Sequence, residues 1–319
     1  MTYPPVPDAP PPGRPRPPVR VEPDGERLVP ERWLDQAPVT RALLALNLAV
    51  FLVQVVLTHH VVDLPTRTAL ELGALYPLAT VGEFRWETLL TACFLHDGIA
   101  HVGMNMLVLW QAGPLVERSV GPARMAPMYL AAGVVGNLAS TAYGWITRAG
   151  LSVGASGAIS GVIASALVVA WRAQGFRSPL TRGLLQWLGF IVVFGVFTNL
   201  SGGRIDNAAH IGGAIAGAAV AAVWKRGHRH SEAATNRIVA ACAGVLVACI
   251  LVVAFRDRTD RFATMTLQER AEFTREALAD GRCHDARDGL LAVERLRARM
   301  APVTSLRGPF ENICGRTDH

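Results

Sequence analysis

Between residues 39 and 255 the chain has seven mostly apolar stretches, at 40–58, 98–116, 126–147, 153–172, 184–200, 207–225 and 238–255, and nothing else in it limits the fold as strongly. A bilayer core about 30 Å thick is crossed by roughly 20 apolar residues rising 1.5 Å each. Each stretch is therefore expected to be a membrane-spanning helix, and the fold class is all-α, a polytopic membrane protein. Composition agrees. Of the 319 residues 51% are hydrophobic and 18% charged, where a soluble domain carries roughly 25% charged residues; mean hydropathy is +0.29. Thirty-one basic against 25 acidic residues give +6, but Lys225 is the one lysine and the arginines are spread over tails and loops. No nucleic-acid partner is expected from that distribution.

Residues 1–38 hold twelve of the twenty prolines, in runs such as Pro10-Pro11-Pro12, and are read as a disordered, Pro/Arg-rich cytoplasmic tail. They lack the apolar core of a cleavable signal peptide, so the first span is expected to direct insertion. Loop arginines favour the cytoplasmic side. With the N-terminus inside a bacterial-type plasma membrane, the inner loops 117–125, 173–183 and 226–237 carry such arginines, whereas Arg256, Arg258 and Arg261 on the outer side run against the rule. The expected division is a six-helix domain over 39–226, a basic loop with a seventh helix over 227–255, and an extracytoplasmic helical tail over 256–319. In the outer loop 59–97, Leu70, Leu72, Leu75, Tyr76, Phe84 and Trp86 form a pattern suited to the membrane interface.

A strongly polar residue inside a span costs a few kcal/mol and marks a functional site by default. His96, His101 and Asn105 open the second span, Gly154-Ala155-Ser156-Gly157 the fourth, and Asp206-Asn207-Ala208-Ala209-His210 the sixth. Even-numbered spans of an alternating bundle run parallel, so His101, Asn105, Ser156 and His210 converge at similar depth near the outer leaflet. His101 and Asn105, four apart, share one helix face. A serine and a histidine at equal depth suit a nucleophile and its base. Ser156 at a helix N-terminus has unpaired backbone N–H groups beside it, and His101 and Asn105 can donate to an oxyanion. Against this stand plainer roles: Ser156 as packing in a small-residue helix, Asn105 as a bond to a neighbouring helix, and Asp206 as an N-cap rather than a third catalytic group. Gly157/Gly161 and Gly213/Gly217 are small-xxx-small pairs that let the fourth and sixth helices approach closely.

Gly154-Ala155-Ser156-Gly157, Ala209-His210-Ile211-Gly212-Gly213 and His101-x-x-x-Asn105 after Phe94-Leu95-His96 together resemble the rhomboid intramembrane serine proteases. The resemblance covers roughly residues 40–225, leaving 238–255 as an added seventh helix on a six-helix rhomboid core. It implies Ser156 as nucleophile and His210 as general base, with His101, Asn105 and the Ser156 backbone N–H as the oxyanion hole. It further implies transmembrane-protein substrates, a lateral gate between spans two and five, and no cofactor or metal. A noncatalytic relative that binds transmembrane clients is the alternative within that fold. The family commonly has an aromatic four residues after its serine, where this chain has Ser160. It also often has a Trp-Arg pair in the first loop, where this chain has Phe84-Arg85-Trp86.

Trp187, Phe190, Phe194 and Phe197 of the fifth span are expected to face lipid or neighbouring helices. In the tail, 265–280 and 284–300 have the apolar spacing of a helical hairpin. Cys283 and Cys314 are expected to pair there, in a compartment that permits disulfides, while Cys93, Cys242 and Cys249 lack the spacing of a zinc site.

Overall fold

The computed structural model describes residues 34, 36–147, 150–224, 230–297 and 304–315. The expected disorder of the Pro-rich tail falls on 1–33 and 35, outside the described residues. Seven long helices follow the expected spans: α1 (Pro38–Thr58), α5 (Ile99–Val120), α6 (Pro122–Thr147), α7 (Ser156–Gln174), α8 (Pro179–Leu200), α9 (Asn207–Val223) and α10 (Glu232–Thr259). Between α1 and α5 lie the short helices α2 (Thr66–Glu71), α3 (Pro77–Gly82) and α4 (Thr88–Thr91); after α10 come α11 (Leu267–Ala279), α12 (Cys283–Arg297) and α13 (Thr304–Ile313). Helix α10 starts at Ser231, whose hydroxyl accepts from Ala234 N–H, and so begins inside the stretch expected to be a loop. Its start at Glu232 places Arg237 in a helix, and its run past 255 to Thr259 does the same for Arg256 and Arg258.

Five of the seven, α1, α5, α7, α8 and α10, are long and apolar enough to cross a bilayer. Helix α9 stops at 17 residues, and α6 carries Asn137, Ser140, Thr141 and several glycines on its buried side. Each buries one face against α7 and leaves apolar residues outward on the other, such as Leu138 and Ile146 on α6 and Ile211 and Ile215 on α9. Helix α7 is the centre of the bundle, with 61% of its most apolar 18 residues buried, against 11% for α8 and 6% for α10. The close packing of α6, α7 and α9 depends on small residues. A Cβ on Gly213 would overlap the Gly157 carbonyl, one on Gly217 the Gly161 carbonyl, and one on Gly136 would sit 2.7 Å from the Ala209 carbonyl oxygen. Trp187, Phe190, Phe194 and Phe197 on α8 point outward, between 42% and 67% exposed, as a lipid-facing row requires.

A carboxylate fixes the start of α1. Glu117, 1% exposed in the last turns of α5, accepts from the N–H groups of Val39 at 2.8 Å and Thr40 at 2.7 Å and from the Thr40 hydroxyl at 2.7 Å. The unpaired donors and positive dipole end of α1 offset the cost of burying that charge.

The outer loop departs from the interfacial expectation. Leu70, Leu75 and Tyr76 are buried at 2%, 0% and 8% exposure, while Phe84 and Trp86 face outward at 64% and 47%. Its hydrophobic residues are thus divided between core and surface rather than spread along a membrane interface. Leu75 forms an isolated antiparallel bridge with Ser152 in the α6–α7 connection, with both N–H···O bonds made. The expected tail hairpin is present as α11 and α12, and Cys283 and Cys314 are bonded at an S–S distance of 2.11 Å. Helix α13 was not anticipated. Two of the arginines that opposed the orientation rule are engaged locally: Arg256 with Glu87 at 3.2 Å, and Arg261 with Asp285 at 2.9 Å and Asp288 at 3.0 Å.

Candidate active site

Ser156 is the first residue of α7, and the chain reaches it through Gly154 at φ +132. Only glycine enters that region without strain, and space forbids a side chain there as well. A Cβ on Gly154 would sit 2.7 Å from His101 Nε2 and 3.7 Å from Asn105 Nδ2, so two α5 side chains converge on the backbone just before Ser156. The Gly154 N–H is held by the Ala92 carbonyl at 2.9 Å.

His210, in the first turn of α9 and 8% exposed, has its Nε2 2.8 Å from Ser156 Oγ. The contact follows from the glycine-mediated approach of α7 and α9. Ser160, 1% exposed, donates its hydroxyl to the Ser156 carbonyl at 2.8 Å, so it satisfies itself within α7 and adds no bulk between the helices.

Asp206 is occupied elsewhere. Its Oδ1 accepts the Ala209 N–H at 2.9 Å, the N-cap expected from sequence, and its Oδ2 accepts the hydroxyls of Ser152 at 2.7 Å and Ser140. His210 Nδ1 is buried without a hydrogen-bond partner. The arrangement is therefore a pair, Ser156 and His210, with the carboxylate bracing the loop and the start of α9.

His101 Nδ1 accepts the Asp97 N–H at 3.4 Å, which puts the proton of the neutral ring on Nε2, the nitrogen facing Gly154. Asn105 Nδ2, on a side chain 7% exposed, is a buried donor without a partner. Helix geometry leaves the first N–H groups of α7 without intrahelical acceptors. Two side-chain donors thus converge on Gly154, two residues before Ser156, where the first N–H groups of α7 are also free of intrahelical acceptors. A buried donor without an acceptor costs about 1–3 kcal/mol, so Asn105 Nδ2 is held here at a cost that an acceptor entering the site would remove.

His96 is fully buried, its ring edge-on to His101 at 5.2 Å and both ring nitrogens unpartnered. Burial, with His101 beside it, pushes its ring down to about 3, so it stays neutral. Its backbone is clamped by Gln54, which donates to the His96 carbonyl at 2.8 Å and accepts its N–H at 3.1 Å. Sequence reasoning missed Gln54, Ser140 and Ser152. Gln54 was the one legible in principle, as an amide inside an apolar span. A cavity of about 580 Å³ lined by Arg124, Pro127, Val220 and Trp224 lies at the opposite ends of α6 and α9 and is no part of this site.

The family model of the rhomboid domain matches residues 83–227. The chain is 38% identical over 141 residues to the rhomboid protease GluP of Bacillus subtilis, a match covering 43% of this chain and 26% of that protein. It is 35% identical over 162 residues to RHOMBOID-like protein 1 of Arabidopsis thaliana, covering 48% of this chain and 38% of the relative. With the rhomboid protease AarA of Providencia stuartii it shares 27% identity over 205 residues, 58% of this chain and 72% of AarA. The chain spans less than half the length of the first two. The matched segment contains His101, Asn105, Ser156 and His210 in one helical bundle of a multi-pass membrane protein, and over residues 83–227 this chain carries a rhomboid domain.

Proposed function

We propose that the chain is an intramembrane serine endopeptidase that hydrolyses peptide bonds in or near transmembrane segments of other membrane proteins. The 2.8 Å contact between Ser156 Oγ and His210 Nε2 carries the reading. His210 takes the hydroxyl proton as Oγ attacks the scissile carbonyl. The tetrahedral oxyanion is held by the Ser156 N–H, His101 Nε2–H and Asn105 Nδ2–H. Collapse breaks the C–N bond, His210 returns its proton to the leaving amine, and Ser156 remains acylated. A water that gives its proton to His210 then attacks the acyl-enzyme and frees Ser156. The chemistry uses no cofactor. Removing one oxyanion donor typically costs about 2.7–4 kcal/mol of transition-state stabilisation.

The site opens toward the outer face of a plasma membrane, with the N-terminus cytoplasmic. Arginines in the inner loops support this orientation. So does the Cys283–Cys314 bond, since disulfides persist in oxidising compartments. The six-helix unit over 39–226 holds the chemistry, and α10 adds a seventh crossing that takes the tail outside.

The test is labelling in native membranes with a serine-directed fluorophosphonate. Wild type is expected to label, and Ser156→Ala and His210→Ala are not; equal labelling of wild type and Ser156→Ala overturns the reading. Asp206→Asn separates a dyad from a triad. Asparagine still caps α9, so turnover is expected to fall less than about tenfold, whereas loss of a triad aspartate costs about 10⁴-fold in kcat. Steady-state cleavage of a single-pass substrate in liposomes measures which holds.

A further inference from the structure

The C-terminal helices pack against α3, and Leu75, two residues before α3, pairs with the connection that leads into Ser156. Arg270 on α11, 0% exposed, donates to both carboxylate oxygens of Glu83, at 2.5 Å and 3.2 Å, and to the carbonyls of Met265, Ala292 and Phe262. Glu83 ends α3, and the same stretch is held by Arg256, which donates to the carbonyls of Glu83 and Phe84 at 3.1 Å each. A Cβ on Gly82 would lie 2.5 Å from the Arg295 carbonyl oxygen, so the end of α3 rests on the α12 backbone. At the other end of α3, the Tyr76 hydroxyl accepts the Leu267 N–H at 3.2 Å. Leu296 of α12 packs with Leu70, Tyr76, Leu78 and Ala79, and Leu151 and Leu267 border the same cluster.

Leu151 belongs to the segment that leads into Ser156. Its neighbour Ser152 pairs with Leu75, one residue before Tyr76, and donates its hydroxyl to Asp206, the cap of the helix bearing His210. A continuous set of packed and hydrogen-bonded groups therefore runs from Arg270 to both halves of the dyad.

We propose that the C-terminal helices form part of the scaffold of the active site, with Arg270 a positioning residue that acts through Glu83 and α3 on the 150–155 segment. The catalytic half of this inference rests on the endopeptidase reading; the mechanical half does not. A bidentate arginine–carboxylate pair fixes orientation as well as distance; Arg85 also lies 3.6 Å from Glu83 Oε2, so without Arg270 the buried carboxylate keeps one cation nearby but loses the partner that fixes its orientation. Without Arg270, α3 loses the one bidentate contact among its anchors, and the Leu75–Ser152 pairing opens more often. Gly154 then leaves His101 and Asn105 more often as well.

The experiment is amide hydrogen exchange on the full chain in micelles, read at Ser152, whose N–H is held by Leu75, and at Gly154, whose N–H is held by Ala92. Fluorophosphonate labelling rates are taken on the same samples. Arg270→Met is expected to speed exchange at both amides by about tenfold or more through local opening, with a parallel fall in labelling. Arg270→Lys keeps the charge but loses the fork geometry, and Tyr76→Phe loses one hydrogen bond with its shape kept; both are expected to give smaller changes at the same two amides. The two mild variants decide the matter if Arg270→Met does not fold. Unchanged exchange at Ser152 and Gly154 in folded variants, even with a lowered melting midpoint, overturns the inference. Wild-type protein that never labels at Ser156 overturns the endopeptidase reading instead, and the exchange result still stands.

Discussion

Ser156→Ala is expected to lower hydrolysis of a single-pass substrate by about six orders of magnitude, and His210→Ala by as much, since a nucleophile and its base fail together. The geometry explains why neither loss can be relieved locally. The other hydroxyl on that side of α7, Ser160, is bonded to the Ser156 carbonyl one turn deeper, and those of Ser140 and Ser152 are committed to Asp206. The double variant should be no worse than either single one, because each alone removes the proton-coupled attack. Membrane insertion should not change: Ser156 sits at the very start of α7, and the packing of that helix on α9 runs through the glycines below it. Cleavage in liposomes of fixed protein content measures the effect. A Ser156→Ala protein retaining more than about a thousandth of wild-type kcat would remove Ser156 as nucleophile.

Much of the site was legible because periodicity and topology act on local signals. Seven apolar runs fix seven helices, parallel helices bring 101, 105, 156 and 210 to one end, and glycines four apart announce where two backbones touch. Asp206 was readable as a cap because capping is decided within three residues. What was not legible depends on partners far apart in sequence. Glu117 caps α1 from 78 residues away, and Arg270 reaches Glu83 across 187. No spacing rule links such pairs, and each alone reads as a solvated charge. The outer loop failed for a related reason. Its leucines look interfacial one by one, yet Leu70 is buried in a cluster with Leu296 of α12, an element that the loop's own sequence does not reveal. Helix α8 illustrates the opposite case: little of it is buried against protein, and of the two settings expected for its aromatic row, lipid or neighbouring helices, the row takes the outward one.

Gly213→Ala should have the next largest effect, and it tests the packing that creates the dyad rather than the dyad itself. The added methyl group would overlap the Gly157 carbonyl, a backbone atom that no side-chain rotation can move away. Helices α7 and α9 must therefore separate. Overpacking of this kind costs about 1–3 kcal/mol, which a differential scan in detergent would register as a lowered melting midpoint. The larger consequence is chemical. Ser156 lies one residue before Gly157 and His210 three before Gly213, so the separation opens the 2.8 Å contact almost directly. A displacement near 1 Å costs on the order of 10²-fold in rate, and kcat should fall by about that factor. Gly189→Ala on α8 supplies the comparison, since nothing lies within 4 Å of its added carbon. Its turnover should match wild type, because α8 touches lipid there and positions neither member of the pair. If Gly213→Ala keeps wild-type kcat while losing stability, the α7–α9 contact is a stabilising seam only, and the alignment of Ser156 with His210 has to come from the Asp206 cap and the Gly154 entry instead.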